Sequence, residues 1–238
     1  MIIFADFDGT IFTHGDDLTV QKNLIALRNW RAAGNKFCIT TGRSIRSLIR
    51  QLPEIQEICD YYIVDSGSII LDHDQNPLKV FCFDPAIVTT IIDFSKSLSE
   101  VPTMVYYTHD SEDENVKTEG ITKLRYWFQN PELLNPVRDE LRKDFPVLAF
   151  SQIALDDSKG KGFVEIIPRE LGKSNAIKYL QQLVSISPQD IITVGDGLND
   201  YDMVQDFAGY AIKNSELANF APSLKTAESV AEMISQIQ

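Results

Sequence analysis

"MIIFADFDGTIF", residues 1–12, is an apolar run that stops at two carboxylates, Asp6 and Asp8, with Gly9 directly behind them. An unbroken run of Ile, Phe and Ala bounded by polar residues is the pattern of a strand covered on both faces, as in a parallel sheet. In an open sheet of that kind, ligands bind in the crevice beyond the carboxyl ends of the strands. The two acids stand at such an end.

Strand and helix signals alternate outward from this point. Val20, Leu24, Leu27 and Trp30 fall on one stripe of a helix over 19–33, and Gly34 follows as its stop. "KFCIT" (36–40) reads as the second strand, and Ser44 caps a helix through Leu52 that Pro53 ends. "YYIV" (61–64) is a third strand, "DIITV" (190–194) a fourth and "YAI" (210–212) a fifth, with "AESVAEMISQI" (227–237) as a closing amphipathic helix. This alternation predicts an α/β core with a doubly wound parallel sheet.

Between 75 and 168 the rhythm changes. "LKVFCF" and "TMVYYT" are strand-like, Pro85 to Ser99 is helical, and "NPELLNPVRDELRKDF" is helical with Pro136 interrupting its start. "VLAFSQIAL" and "FVEIIP", separated by the turn-rich "DDSKGKG", predict a β-hairpin. The expected organisation is a catalytic core of 1–74 and 169–238 with an inserted α+β cap domain of 75–168. Asp72 to Pro77 and Pro168 to Gly172 are the expected hinges.

The 238 residues are 44% hydrophobic, and 22 Lys and Arg face 34 Asp and Glu, giving a net charge of -12. Such a surface repels nucleic acid and anionic membranes, so an anionic substrate has to be met locally by cations, dipoles or a metal. Cys38, Cys59 and Cys82 are too scattered for a disulfide framework or a metal-binding pair, and buried reduced thiols are expected. Met1 leads straight into the first strand without a basic leader, and no apolar run reaches the roughly 18 residues of a membrane span. The expectation is a soluble, cytoplasmic protein; its oligomeric state leaves no mark in the sequence.

Four polar motifs fall at or beside strand ends. Asp6 and Asp8 follow the first strand, Thr41, Gly42 and Arg43 the second, and "GDGLND" (195–200) the fourth, while Lys173 lies near the start of the helix that leads into the fourth. Carboxylates converging there repel: a pair at about 4 Å costs on the order of 4 kcal/mol at an effective dielectric near 20. A positive charge must sit among Asp6, Asp196 and Asp200. Oxygen ligands without His or Cys favour a hard cation, and Mg²⁺ is the usual one where carboxylates, waters and a phosphate share its shell. Lys173 supplies a second positive charge and Thr41 a hydroxyl donor. A carboxylate can attack phosphorus, and a second carboxyl two residues on can protonate the leaving oxygen and then activate water. Asp6 would attack and Asp8 would move the proton.

In order and spacing, "DFDGT", "TTGR", the Lys of "ELGKSNAIKYL" and "GDGLND" resemble the four motifs of the haloacid-dehalogenase-like (HAD) hydrolase superfamily, and the insert resembles the cap of its Cof-type, class IIB branch. The resemblance spans nearly the whole chain. It implies a HAD-like Rossmannoid core with Asp6 as nucleophile and metal ligand, and Asp8 as acid/base with its backbone carbonyl on Mg²⁺. It further implies phosphate binding by Thr41, Gly42 and Lys173, metal binding by Asp196, and support of that shell by Asn199 and Asp200. An acid at position 8 fits the phosphatases of the superfamily rather than the dehalogenases. Three departures, Ser66-Gly67-Ser68 for the frequent Asn-Gly-Ala, Ser174 for Gly and Lys213 for Met, are expected near the substrate rim.

Arg43 reads equally as a surface pair or a substrate contact. His14, His73 and His109 read as solvated, "HDSEDEN" as a solvated loop, and Tyr106, Tyr107, Tyr126 and Trp127 as core of the insert. The leading function is a Mg²⁺-dependent phosphatase acting on a small phosphomonoester, a sugar phosphate or phosphorylated cofactor precursor, through an aspartyl-phosphate. The alternatives are a phosphomutase or phosphotransferase on the same scaffold and a non-enzymatic phospho-aspartate switch. Asp8 argues against the switch, which must keep its acyl phosphate.

Overall fold

A computed structural model describes residues 1–109, 111–145, 148–156, 160–168, 171–207 and 209–237. The chain divides into two compact units, Met1–Leu78 with Lys173–Gln238, and Lys79–Gly172. In chain order the elements begin with β1 (Ile2–Ala5), α1 (Asp17–Ala32), β2 (Lys36–Thr40), α2 (Ile45–Gln51), β3 (Tyr61–Val64), β4 (Ile69–Asp72) and β5 (Pro77–Val80). The insert supplies α3 (Pro85–Ser97), β6 (Thr103–Tyr107), β7 (Glu112–Asp113), β8 (Lys123–Phe128), α4 (Leu134–Asp144), β9 (Leu148–Asp156) and β10 (Lys161–Pro168). The chain then returns through α5 (Lys173–Leu183), β11 (Ile191–Gly195), α6 (Tyr201–Asp206), β12 (Tyr210–Ile212), α7 (Glu216–Phe220), β13 (Lys225–Ala227) and α8 (Val230–Ile237).

The large sheet runs β13-β12-β11-β1-β2-β3-β4-β5. From β13 to β3 the neighbours are parallel, with β1 central between β11 and β2. Its central strand β1 is buried on both faces, as the apolar run requires: Ile2, Ile3, Phe4 and Ala5 are all enclosed. The sheet is nevertheless mixed, because β4 turns back antiparallel on β3. The sequence reading assigns no strand there. Asp65, Ser66 and Gly67 take φ of 48°, 58° and 99°, three consecutive left-handed residues that reverse the chain at once. Only the glycine advertises such a turn.

Local chemistry accounts for the helix ends. Asp16 accepts the Thr19 N–H at 3.1 Å as the N-cap of α1, and Gly34, at φ 85°, carries the chain out of its far end. Val20, Leu24, Leu27 and Trp30 form the buried stripe, and α8 packs against α1.

In the insert an antiparallel sheet, β7-β6-β8-β10-β9, pairs β9 with β10 as the expected hairpin. Helices α3 and α4 bring Ile91, Val137 and Leu141 into a core with Tyr106, Tyr126 and Val164. Pro136 does not interrupt its helix. It is the third residue of α4, in the first turn, where its missing N–H has no helical partner to lose. Residues 157–159 of the hairpin turn, Asp110 of the "HDSEDEN" loop and 169–170 of the second expected hinge lie outside the described residues.

Cys38 and Cys59 are buried free thiols, and burial pushes both well up from the ordinary thiol range. Cys82 is exposed, which corrects the expectation of three buried thiols. His73 is not simply solvated either: its Nδ1 lies 2.7 Å from the Cys59 carbonyl oxygen. Among the described residues no helix is long and apolar enough to cross a membrane.

Candidate active site

Strand register sets the site. Ala5 pairs with Val194 on one side and Ile39 on the other, so Asp6, Thr41 and Asp196 leave neighbouring strands at the same edge of the sheet. The Asp6 N–H continues the ladder by donating to the Val194 carbonyl at 2.9 Å, which fixes the backbone under its carboxylate. Lys173, the first residue of α5, donates from Nζ to Asp6 Oδ1 and to Asp200 Oδ1, each at 2.5 Å. Carboxylate oxygens of Asp6, Asp196 and Asp200 all lie within 4.8 Å of one another.

Each acid is held differently. Asp200 is fully committed: Lys173 takes Oδ1, and the backbone N–H groups of Asp196 and Gly197 both donate to Oδ2 at 3.0 Å. It shapes the loop that presents Asp196. Thr10 donates its hydroxyl to Asp196 Oδ1 at 2.8 Å, a partner the sequence reading passed over although it closes the "DFDGT" motif. Two glycines make this packing possible. A Cβ on Gly9, whose φ is 80°, would stand 2.2 Å from Asp196 Oδ2, and one on Gly195 would stand 2.4 Å from the Asp200 Cβ.

Burial pushes the Asp6 carboxyl well above the usual carboxylate range; Lys173 pulls it down, while Asp200 and Asp196 push it further up. Burial likewise raises Asp196, opposed by the Thr10 hydrogen bond. Burial alone would lower Lys173, but Asp200 and Asp6 overcome that and hold it above the usual lysine value, so it stays charged. One ammonium thus faces three carboxylates. The donor set is oxygen only and the charge is unbalanced, the conditions that suit a hard divalent cation.

Asp8 points elsewhere. Its side chain is 49% exposed and is gripped by Arg43, whose Nε and Nη2 donate to its two carboxylate oxygens at 2.7 Å each. The Arg43 guanidinium lies 5.4 Å from the Phe7 ring centroid and reaches Ser47 Oγ at 3.3 Å. Thr41 is buried, and its hydroxyl oxygen accepts the Arg43 N–H at 3.1 Å, leaving the hydroxyl proton for another acceptor. The left-handed turn after β3 is stapled to this loop by Asp65 N–H to Arg43 O (2.9 Å) and Ser66 N–H to Thr41 O (3.0 Å). Gly42 sits between them. Asn199 is exposed and folds over Gly197, outside the carboxylate cluster. Of the departures, Ser174 Oγ donates to Asp206 at 2.5 Å and Lys213 pairs with Glu228.

An open α/β sheet whose strand ends gather three carboxylates and a lysine is the core of a phosphoryl-handling enzyme. Residues 3–227 match the family model for haloacid dehalogenase-like hydrolases, and the chain belongs to that family. An uncharacterized protein of Mycoplasma capricolum is 27% identical over 231 residues, which cover 86% of this chain and 87% of that one. The 5-amino-6-(5-phospho-D-ribitylamino)uracil phosphatase YbjI of Escherichia coli is 21% identical over 233 residues, covering 88% of this chain and 83% of that one. Among solved structures, a sugar phosphatase of HAD subclass IIB superposes with a TM-score of 0.79 at 16% identity, covering 99% of this chain and 98% of that one.

Proposed function

We propose that this chain is a Mg²⁺-dependent phosphatase that hydrolyses a small phosphomonoester through a phosphorylated Asp6. The observation that carries the reading is the buried cluster of Asp6, Asp196 and Asp200 with Lys173 bridging two of them. Asp6 and Asp196 would hold the cation, with the backbone carbonyl of Asp8. The bound ion supplies positive charge that lets one anion approach another. Lys173 stays protonated between Asp6 and Asp200, which orients the Asp6 carboxylate and adds charge where the phosphate oxygens would lie. Thr41 has a hydroxyl proton to give to a phosphate oxygen, and Gly42 lets the backbone approach it. Asp6 attacks phosphorus, and the leaving alkoxide takes its proton from Asp8. The same carboxylate then removes a proton from the water that opens the acyl phosphate, restoring Asp6 and releasing inorganic phosphate. Arg43 holds Asp8 in one orientation by its two parallel bonds.

The E. coli relative is a 5-amino-6-(5-phospho-D-ribitylamino)uracil phosphatase and the subclass IIB structure is a sugar phosphatase, which supports a small phosphorylated metabolite as the substrate class. Selection of the substrate by the insert belongs to this proposal, as does a cytoplasmic location. Release of inorganic phosphate from p-nitrophenyl phosphate, with Mg²⁺ and with EDTA, tests it. Turnover should require the metal, Asp6→Asn should abolish it, and quenched Asp8→Asn enzyme should carry phosphate on Asp6. Full turnover in EDTA, or label on another residue, overturns the mechanism.

A further inference from the structure

The core carries a second cluster of charged side chains, at the edge of the large sheet opposite to Asp6. Strands β1, β2 and β3 are parallel, so Lys36, which opens β2, and Asp60, which directly precedes β3, lie at the amino ends of strands whose carboxyl ends lead to Asp6 and Thr41. The length of β2 alone separates the two edges by roughly 16 Å. There the end of α1, the start of β2 and the segment from Glu57 to Asp60 surround a cavity of about 490 Å³, which falls within the range of roughly 300–1,000 Å³ for small-molecule sites. Three cations, Arg28, Arg31 and Lys36, line it with two acids, Glu57 and Asp60. Against a net charge of -12 this is a local excess of positive charge.

The five side chains divide into a scaffold and an open set. Arg31 is fully committed: Nε and Nη2 donate to the two Asp60 carboxylate oxygens at 3.1 and 3.0 Å, and Nη1 donates to the Glu57 carbonyl oxygen at 2.6 Å. Asp60 Oδ2 also accepts the Phe37 N–H at 2.9 Å, which ties α1, β2 and the approach to β3 into one wall. Joining these elements needs nothing more, yet the other three side chains keep hydrogen-bonding capacity. Arg28 donates to Glu57 Oε2 through Nη2 at 2.9 Å, and among the described residues its Nε and Nη1 have no acceptor. Lys36 has no carboxylate partner among the described residues; its Nζ donates to the Tyr61 hydroxyl at 3.1 Å and stands 5.2 Å from that ring's centroid, which leaves two donors. Glu57 Oε1 accepts no hydrogen bond among the described residues. Charged donors of this kind hold carboxylate and phosphate oxygens, and a carboxylate oxygen beside them accepts a hydroxyl.

We propose that this cavity binds a small hydroxylated anion, in which Arg28 and Lys36 hold a carboxylate or phosphate group and Glu57 accepts a hydroxyl of the same molecule. The site lies apart from Asp6 and stands whether or not phosphate is released there.

The test is a backbone-amide NMR titration of the full chain in metal-free buffer. The probes are malate and 2-hydroxyethylphosphonate, which separate the two anionic groups and offer no phosphate ester to hydrolyse, with glycerol as the uncharged control. One or both anions should shift the amides of Gly34, Asn35 and Ile58, which line the cavity, saturably and where glycerol does not; Gly195 and Gly197 report any separate binding at the Asp6 cluster. Lys36→Gln and Arg28→Gln should each weaken the binding about tenfold, as loss of a charge-assisted hydrogen bond does. Both side chains are exposed, so both variants should fold. Whichever anion binds should bind more tightly than its analogue without the hydroxyl, succinate or ethylphosphonate, and Glu57→Ala should remove that preference. The proposal is overturned by no saturable shift at Gly34, Asn35 and Ile58, by an equal response to glycerol, or by undiminished binding in either Lys36→Gln or Arg28→Gln. Absence of a preference for the hydroxylated anion, or a preference that survives Glu57→Ala, overturns it equally.

Discussion

Lys173 touches two carboxylates at once, and their burial makes the contact matter more than a surface pair would. Removing one partner of a buried ion pair leaves an uncompensated charge, so Lys173→Met should lower the unfolding free energy by roughly 3–5 kcal/mol in metal-free buffer. Urea denaturation measures it, and Asp200→Asn added to Lys173→Met should recover part of the loss. Asp206 shows the opposite regime. Hydrogen bonds from Lys178 and Ser174 hold its carboxyl below the usual range, but water reaches the pair. A lowered folded-state value means stability that is present above the unfolded value near 4 and lost as pH falls through the folded one. Asp206→Asn should therefore cost about 0.5–1 kcal/mol at pH 7 after solvent screening, and urea titrations should show the gap to wild type closing toward pH 3. That Asp6, Asp196, Asp200 and Lys173 would come together was legible in the sequence, because acids and a lysine at strand ends have little structural reason to be there. Their partnerships were not. That Arg43 would grip Asp8 depends on the path of two loops, which no spacing records.

Elements place these residues by close approach. Gly9 and Gly34 both have left-handed φ, 80° and 85°, but a Cβ at Gly34 would meet open space while one at Gly9 would collide with Asp196. Gly34→Ala should thus show only conformational strain, about 1–2 kcal/mol. Gly9→Ala should lose more in thermal melts and, unlike Gly34→Ala, should also weaken Mg²⁺ activation, because Asp196 must move. Equal effects of the two substitutions on activation would show that the Gly9 contact has no part in the site. The same distinction explains what the sequence revealed about elements. Buried parallel strands and capped helices announce themselves by apolar runs and by Ser44 and Gly34; the Asp16 cap was not read. The turn into β4 does not, since Asp65 and Ser66 adopt left-handed backbone that their side chains do not favour, and the antiparallel strand beyond it went unread.

At the scale of the whole chain, excess negative charge and a concentrated acid cluster mean that folding itself must bring like charges together. The sequence carried this much, because -12 and three convergent aspartates can be counted; it did not carry the cavity beside α1 and β2, whose cations and acids come from separate elements. A cation that binds only the folded cluster shifts the unfolding equilibrium by mass action, by about 2.7 kcal/mol at a hundred times its dissociation constant. For a chain of this length each kcal/mol moves the melting temperature by about 2–4 °C, so saturating Mg²⁺ should raise the Tm of wild type by roughly 5–10 °C. Asp196→Ala should abolish most of that rise while melting normally without metal, since one carboxylate fewer also means less repulsion. Asp206→Asn, which is not one of the three clustered carboxylates, should keep the full rise. Differential scanning calorimetry with Mg²⁺ and with EDTA separates these cases, and an undiminished rise in Asp196→Ala would place the cation elsewhere on the acidic surface.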